Sequence, residues 1–105
     1  MMLVDSLQNY DTSLRWKWWC HLVSTESEAE LHAFAAKIGL ERKWAQLRPK
    51  ASAAHYDLIP AKRALAVRIG AKEVDSRRLV RENYDGLTKR GLVGQVVMRF
   101  DLTSG

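Results

Sequence analysis

The chain lacks several features that identify whole classes of protein. Its single cysteine, Cys20, excludes an internal disulfide and fits a reducing compartment. No apolar run approaches the roughly 20 residues that a membrane helix needs. Residues 1–4 are apolar, but Asp5 follows at once, without the basic and apolar regions of a signal peptide. We therefore expect a cytoplasmic protein that does not enter the membrane.

Motifs for common chemistries are missing as well. The sequence has no glycine-rich phosphate loop, no zinc-binding cysteine cluster and no nucleophile elbow. No two of its three histidines have the spacing of a metal-binding pair such as His-x-x-x-His, so no metal site is predicted and the cofactor is unknown. Cys20 precedes His21, but adjacent strand residues point to opposite faces, so we expect a buried, inert thiol.

Size and charge set broad limits on fold and partner. The chain has 105 residues, of which 47% are apolar, enough for one modest core. Its net charge of +5 is uneven, since residues 41–50 carry +3 and residues 61–90 carry +5. This excess favours an anionic partner, either a small molecule or nucleic acid, through its electric field and counterion release. A solvated basic surface would have the same composition.

The hydrophobic pattern predicts a single α+β, or small α/β, domain in which a small mixed sheet packs with three to four helices. We predict strands at residues 1–5, 15–23, 72–74 and 95–102, and helices at 25–38, 42–47, 60–69 and from Asp75 or Ser76 onward. The domain spans residues 1–105, and residues 1–80 are the part that resembles the family described below. Residues 81–105 add a turn and a strand, in which residues 92–102 are a candidate homo-oligomer contact.

The helix at 25–38 has the clearest boundaries. Thr25 and Glu28 match a capping box, and Gly39 is placed for a left-handed C-cap. In the next helix, Trp44 is expected to point inward. The four tryptophans, interleaved with cations, could stack on nucleic-acid bases, but they suit core positions better.

The helix at 60–69 is apolar almost all round, which predicts a mostly buried helix. Lys62 and Arg68 have apolar neighbours on the helical wheel. They either extend their charged ends to solvent or point into a cleft where an anion neutralises them. Arg63 is expected to face outward.

The richest polar stretch lies where this helix starts, around Pro60. The first N–H groups of a helix lack intrahelical partners and attract anions, phosphate above all. The three histidines each lie near the end or margin of a predicted element, and we expect them to converge with Asp5 and Asp57 in one cleft. The first functional hypothesis is therefore a site that binds, and in one form cleaves, a nucleotide or another phosphate compound. Its candidate catalytic residues are His21 and His55, and its candidate ligand-binding residues are His32, Tyr56, Asp57, Lys62 and Arg63.

Two hypotheses from other classes stay open. A non-catalytic module could bind nucleic acid or a protein through Arg77, Arg78, Arg81 and residues 42–50, with a steep salt dependence for nucleic acid. A structural protein could assemble through its last strand.

The ordered motifs also resemble a known family. They are Trp19-Cys20-His21-Leu22, Glu30-Leu31-His32-Ala33-Phe34-Ala35, Ile38-Gly39-Leu40, Trp44, His55-Tyr56-Asp57-Leu58, Lys62-Arg63 and Gly70-Ala71. Together they resemble small bacterial and phage proteins that share a domain of unknown function. The resemblance covers residues 1 to about 80 and implies that the histidines, Tyr56, Asp57, Lys62 and Arg63 belong to the family pattern. It implies no activity. Residues 48–54 and the glycine-rich C-terminal strand depart from that pattern.

Overall fold

Five strands and three helices make up the part of the chain that the computed structural model describes, residues 1–10 and 15–86. The strands are β1 (Met2–Val4), β2 (Gln8–Asn9), β3 (Trp18–Ser24), β4 (Tyr56–Leu58) and β5 (Lys72–Glu73). The helices are α1 (Glu28–Lys37), α2 (Pro60–Arg68) and α3 (Ser76–Glu82), with a short 3-10 helix at Arg42–Trp44. This arrangement confirms the predicted α+β class. Residues 92–102, the candidate oligomer contact, lie outside the described residues.

The seven-residue strand β3 organises the sheet. It pairs antiparallel with β1, β2 and β4, and β5 extends the sheet by pairing parallel to β1. Leu22 lies opposite Val4 on one side and opposite Tyr56 on the other. Because side chains alternate along each strand, this register decides which residues share a face.

The two faces of the sheet pack against different helices. One face carries Leu22 and Tyr56 against α1 and α2, and the other carries Leu3 and Val23 against Leu79 of α3. Four of these five side chains are at most 1% exposed, and burying each aliphatic one contributes about 1.5–3 kcal/mol. The face that carries Val23 also carries His21, so this candidate lies on the α3 side, whereas the candidate Tyr56 lies on the side of α1 and α2.

The start of α1 differs from the predicted capping box. Ser27, and not Thr25, is the N-cap, and its hydroxyl accepts a hydrogen bond from the N–H of Glu30 at 3.0 Å. The reason is that the sheet continues further than expected, since the Thr25 N–H still bonds to the Met1 carbonyl. At the other end the prediction is confirmed, because Gly39 has φ = +81°, a conformation that favours glycine.

The prediction that α2 is mostly buried is wrong. Only Ala66 is buried, whereas Leu65 and Ile69 are 37% and 45% exposed. The inward side of the helix instead carries Lys62 and Arg63, whose charged ends reach backbone carbonyls at the edge of the core. Arg63 therefore does not face outward as predicted, and its side chain is only 18% exposed.

The core assignment of the tryptophans is also wrong for three of them, since Trp16, Trp18 and Trp44 are 45%, 50% and 46% exposed. The predicted helix at 42–47 shortens to the 3-10 turn. After it the chain is extended, and Gln46 exchanges two backbone hydrogen bonds with His55, at 2.8 and 3.0 Å. Trp44 is therefore not turned into the core. Within the described residues, no helix is long and apolar enough to cross a membrane.

Candidate functional site

Asp5 lies at the point where β1 ends and the candidate site begins. Its side chain is fully buried, although Val4 is the last residue of the strand. One carboxylate oxygen, Oδ1, accepts a hydrogen bond from the backbone N–H of His21 at 2.7 Å. The side chain of Asp5 thus accepts the hydrogen bond that a backbone carbonyl would accept if the pairing of β1 with β3 continued, and it fixes the backbone of β3 at His21.

The other oxygen of Asp5 orients the His21 ring. Oδ2 accepts from His21 Nδ1 at 2.8 Å and from the Ser76 hydroxyl at 3.0 Å. Burial alone would raise the pKa of Asp5, but the hydrogen bonds from the His21 ring and backbone outweigh it and lower that pKa. Asp5 is therefore a buried anion with a mainly orienting role.

His55 approaches from the chain segment that leads into β4. Its Nδ1 donates to the Ala53 carbonyl at 2.8 Å, and its Nε2 lies 3.3 Å from Asp57 Oδ1. Burial acts to lower the pKa of His55, but the Asp57 carboxylate and the Ala53 carbonyl outweigh it, so this pKa is raised. The rings of His55 and His21 meet edge to face, with centroids 5.2 Å apart.

The pairing of β3 with β4 brings a carboxylate to the two imidazoles. His21 and Asp57 lie directly opposite each other in this antiparallel pair. One potential ligand atom from each of His21, His55 and Asp57 lies within 4.8 Å of the other two. We name these three residues the imidazole–carboxylate cluster.

In both imidazoles of the cluster, Nδ1 is held by a hydrogen bond and Nε2 faces a second polar group; when the His55 ring is charged, its Nε2 donates to Asp57. Carboxylates and carbonyls only accept hydrogen bonds, so Nδ1 carries the proton in each ring, and Nε2 of the neutral ring carries the lone pair. His21 Nε2 lies 3.5 Å from the Tyr10 hydroxyl, and His55 Nε2 faces Asp57. Such nitrogens can accept a proton from a reactant or coordinate a metal ion.

The structure does not bring His32 to this cluster. His32 Nδ1 lies 2.7 Å from the Tyr56 hydroxyl and its Nε2 lies 2.9 Å from Glu28 Oε2. Tyr56 packs toward α1, while its neighbour Asp57 points to the opposite face of the sheet. Two of the three histidines therefore converge, and His32 and Tyr56 form a separate pair.

The two candidate cations at the start of α2 have different surroundings. Lys62 Nζ donates to the Ile38 carbonyl at 2.7 Å, where α1 ends, and its side chain also lines a cavity. Arg63 Nε donates to the Asp5 carbonyl at 2.8 Å, and its Nη1 pairs with Glu73 at 3.0 Å. Arg63 thus connects α2 to the end of β1, and Lys62 is the cation that a ligand can reach.

The cavity has a volume of about 530 Å³ and reaches the cluster through Asp57. Its walls combine aromatic and cationic side chains: Trp16, Trp19, Trp44, Lys43 and Lys62. We refer to it as the tryptophan-lined cavity. Sequence reasoning missed it because the tryptophans were assigned to the core. The signal that could have found it is the interleaving of tryptophan with lysine and arginine at residues 15–19 and 42–44.

The arginines of the nucleic-acid hypothesis lie on α3, at a different place. Arg77 and Arg81 are exposed, and Arg78 pairs with Glu82 at 2.7 Å. The N-cap of this helix is Asp75, whose carboxylate accepts from the Arg78 N–H at 2.8 Å.

Comparison with known proteins gives one finding about this chain. A family model described as "Protein of unknown function (DUF4031)" matches residues 2–85, which include the whole cluster and the whole cavity. The match confirms the resemblance that the motifs indicated, and it supplies no activity. No curated protein and no solved structure gives a significant match.

Proposed function

The chain belongs to the DUF4031 family of unknown function, and we propose that it binds a nucleotide, or another compound that joins an aromatic ring to phosphate, in the tryptophan-lined cavity. The observation that carries the proposal is the composition of the cavity wall. Three indole rings, two lysines and the edge of the imidazole–carboxylate cluster meet in one concavity. A volume of about 530 Å³ lies within the range of small-molecule sites.

The aromatic part of the ligand would account for the exposure of Trp16 and Trp44, the two half-exposed tryptophans that line the cavity. Indole rings that are half exposed contribute little to the core but offer flat faces for stacking. Stacking of a base on an aromatic side chain contributes about 1–3 kcal/mol. Trp44 is the most informative of these rings, because it is 46% exposed and lies on the 3-10 turn, away from the sheet.

The phosphate part of the ligand would account for the presence of two lysines in the cavity wall. An ammonium group has three donors, and Lys62 Nζ uses one of them on the Ile38 carbonyl. The remaining donors can bind phosphate oxygens, as can Lys43, whose side chain is 75% exposed and pairs with the exposed Glu41 at 3.3 Å. Phosphate held by Lys62 would lie near Asp57, at the edge of the cluster.

Hydrolysis of the bound phosphate compound is the reaction that the cluster could support. Water attacks phosphorus while Nε2 of His55 or His21 accepts its proton, the bond from phosphorus to the leaving oxygen breaks, and that oxygen takes the proton back from the imidazolium so formed. Hydrolysis goes beyond binding and needs its own test, which is the release of inorganic phosphate from the bound nucleotide.

Calorimetric titration with adenosine diphosphate, in the presence of a chelator, tests the binding proposal. Adenosine and inorganic phosphate serve as the two partial ligands. We expect Trp44→Ala to weaken binding by about 10-fold or more, the cost of one stacked ring, and Lys62→Gln to weaken adenosine diphosphate but not adenosine. Trp18→Ala is the matched control, since Trp18 is equally exposed and does not line the cavity.

Three results would contradict the proposal. Binding of none of the three compounds, equal effects of the Trp44 and Trp18 substitutions, or unchanged binding in both His55→Ala and Lys62→Ala would each exclude it. For the hydrolytic step, phosphate release by wild type that persists in both His21→Ala and His55→Ala would remove these residues from the reaction.

Binding of nucleic acid is the second candidate, favoured by the exposure of Arg77 and Arg81 on α3. A titration of a labelled single-stranded oligonucleotide at several salt concentrations tests it. Affinity that falls steeply with salt would support a separate nucleic-acid surface, provided that replacing these two arginines reduces the salt dependence and replacing the histidines does not. Absence of binding at low salt would exclude it.

A further inference from the structure

We propose that the imidazole–carboxylate cluster is a binding site for a divalent transition-metal ion such as Zn²⁺, held by His21, His55 and Asp57. The proposal does not depend on the ligand of the tryptophan-lined cavity, and it is tested without that ligand. Its support comes from the distances within the cluster, from the hydrogen bonds behind it and from its accessibility.

The first argument is the spacing of the ligand atoms. In a tetrahedral site with bonds of about 2.1 Å, ligand atoms lie about 3.4 Å from one another. His55 Nε2 and Asp57 Oδ1 are 3.3 Å apart, which is already that separation. All three potential ligand atoms lie within 4.8 Å of one another, which exceeds the tetrahedral separation by at most about 1.4 Å, so a small shift or a side-chain rotation would complete the set.

The second argument is the state of the imidazole rings. Metal-binding histidines almost always donate their other N–H to a carboxylate or a backbone carbonyl, which fixes the tautomer and the ring orientation. His21 donates to the carboxylate of Asp5 at 2.8 Å, and His55 donates to the carbonyl of Ala53 at 2.8 Å. Both supporting partners that such a site needs are therefore present, and in the neutral form of each ring the lone pair is at Nε2.

The third argument is the electrostatics of the contact between His55 and Asp57. In the neutral ring, the lone pair of His55 Nε2 faces a carboxylate oxygen, and two such electron-rich atoms at 3.3 Å require a cation between them. A proton fulfils this need in the absence of a metal. A divalent ion would fulfil it with more charge and would engage His21 as well.

Ligand chemistry and access narrow the class of ion. Two nitrogen ligands and one carboxylate suit Zn²⁺, Fe²⁺, Co²⁺ or Mn²⁺ better than Mg²⁺ or Ca²⁺, which prefer all-oxygen sites. The side chains of His21, His55 and Asp57 are 32%, 21% and 41% exposed, so an ion can enter from solvent. Three protein ligands also leave at least one coordination position, and one of these ligands, Asp57, also lines the tryptophan-lined cavity.

Metal binding would change the role of the histidines. When the ion is bound, both Nε2 atoms are ligands and no longer accept protons. The proton-accepting role would then pass to water on the ion, whose pKa a divalent metal lowers. Phosphate oxygens that reach the open position could also bind the ion directly.

Titration of the tag-free 105-residue chain with Co²⁺ alone tests the proposal, with visible ligand-field absorption as the readout and Zn²⁺ as the competitor. We expect one Co²⁺ per chain, displaced by Zn²⁺. Loss of an outer hydrogen-bond partner typically weakens metal affinity 10–100-fold, so we expect Asp57→Asn and His55→Gln, which remove a ligand, to weaken it at least ~100-fold. Asp57 is exposed, so its substitution leaves the fold intact, as circular dichroism would verify.

His32→Gln is the matched control, because His32 also lies beside a carboxylate, 2.9 Å from Glu28, but on the other face of the sheet. Its Co²⁺ titration should equal that of wild type. No Co²⁺ absorption in wild type, unchanged affinity in folded Asp57→Asn, or an equal loss in His32→Gln would each overturn the proposal. Because no organic ligand is present, these outcomes are distinct from failure of the nucleotide titration.

Discussion

Replacing the buried carboxylate of Asp5 should destabilise the whole domain. The side chain accepts three hydrogen bonds, from the backbone N–H and the ring of His21 and from the hydroxyl of Ser76, at 2.7, 2.8 and 3.0 Å. Hydrogen bonds to a charged group contribute about 1.5–3 kcal/mol each. In Asp5→Ala the N–H of His21 also loses its partner inside the protein.

Simple addition of these three bonds overestimates the loss. The Ser76 hydroxyl keeps Gln8 as a neighbour at 3.1 Å, and the His21 ring keeps Tyr10 at 3.5 Å, so both can find other partners. We therefore expect Asp5→Ala to lower the free energy of unfolding by about 3–5 kcal/mol, a large part of the 5–15 kcal/mol typical of a domain. Asp5→Asn should lose less, because its amide oxygen can still accept from the backbone.

Urea unfolding followed by tryptophan fluorescence measures this effect. With a slope of about 1.5 kcal/mol per molar urea, the midpoint of Asp5→Ala should fall by about 2–3 M. Asp57→Asn is the control, since Asp57 is 41% exposed and its pairing with His55 should contribute less than about 1 kcal/mol. A loss below about 1 kcal/mol for Asp5→Ala, with an unchanged slope, would refute the structural role assigned to this carboxylate.

The pH dependence of the same variant provides a second check. The pKa of Asp5 in the folded protein lies below its ordinary value of 3.8, so its contribution is present above that value and is lost as pH falls through the folded pKa. The stability difference between wild type and Asp5→Asn should therefore be widest near neutral pH and should narrow in acid. A difference that is constant from neutral pH to well below pH 3.8 would contradict the assignment.

Three further predictions concern single positions. The pKa of His55 is raised above its ordinary value of 6.5. The stabilisation from the contact between His55 and Asp57 should therefore be complete below pH 6.5 and be lost as pH rises through the pKa of the folded state. The urea midpoint should show this decline in wild type and not in His55→Gln. Gly39→Ala should cost about 1–2 kcal/mol in thermal or urea unfolding, because φ is +81° and the added Cβ would lie 2.9 Å from Lys62 Nζ; wild-type stability would disprove the strain. The buried thiol of Cys20, whose pKa is raised to about 12 by burial, should react with a disulfide reagent only after unfolding, and rapid reaction of the native protein would show that it is accessible.

Several local features follow from the sequence because their causes are local. Alternation along residues 18–24 correctly separates Cys20, in the core beside α1, from His21, on the α3 face. Gly39 ends α1 because few other residues adopt its positive φ, and Pro60 starts α2 because its missing N–H has no partner to lose there. The lone cysteine is buried, as its apolar neighbours indicated.

The wrong predictions for the tryptophans and for α2 have one physical origin. The type of a residue does not reveal whether its side chain points into the core or toward solvent. Tryptophan is equally suited to a core and to the wall of a cavity, so the 45–50% exposure of Trp16, Trp18 and Trp44 could not be read from composition. Likewise, an alanine-rich helix has no single face that its sequence marks as buried. Only Ala66 of α2 is buried, and Arg63 turns inward because the Asp5 carbonyl and Glu73 are there to receive it.

The sequence by itself determined the α+β class, the family, the buried thiol and a polar segment from His55 to Arg63 next to a helix start. Only the tertiary structure decided which of those polar residues meet. His21 and Asp57 are 36 positions apart in the chain, yet the β3–β4 register places them opposite each other, and the same register turns Tyr56 to the other face, where it meets His32 of α1. A shift of one residue in that register would reverse the faces, since strand side chains alternate with a period of two. The cluster therefore depends on long-range strand pairing, which no local spacing of histidines records.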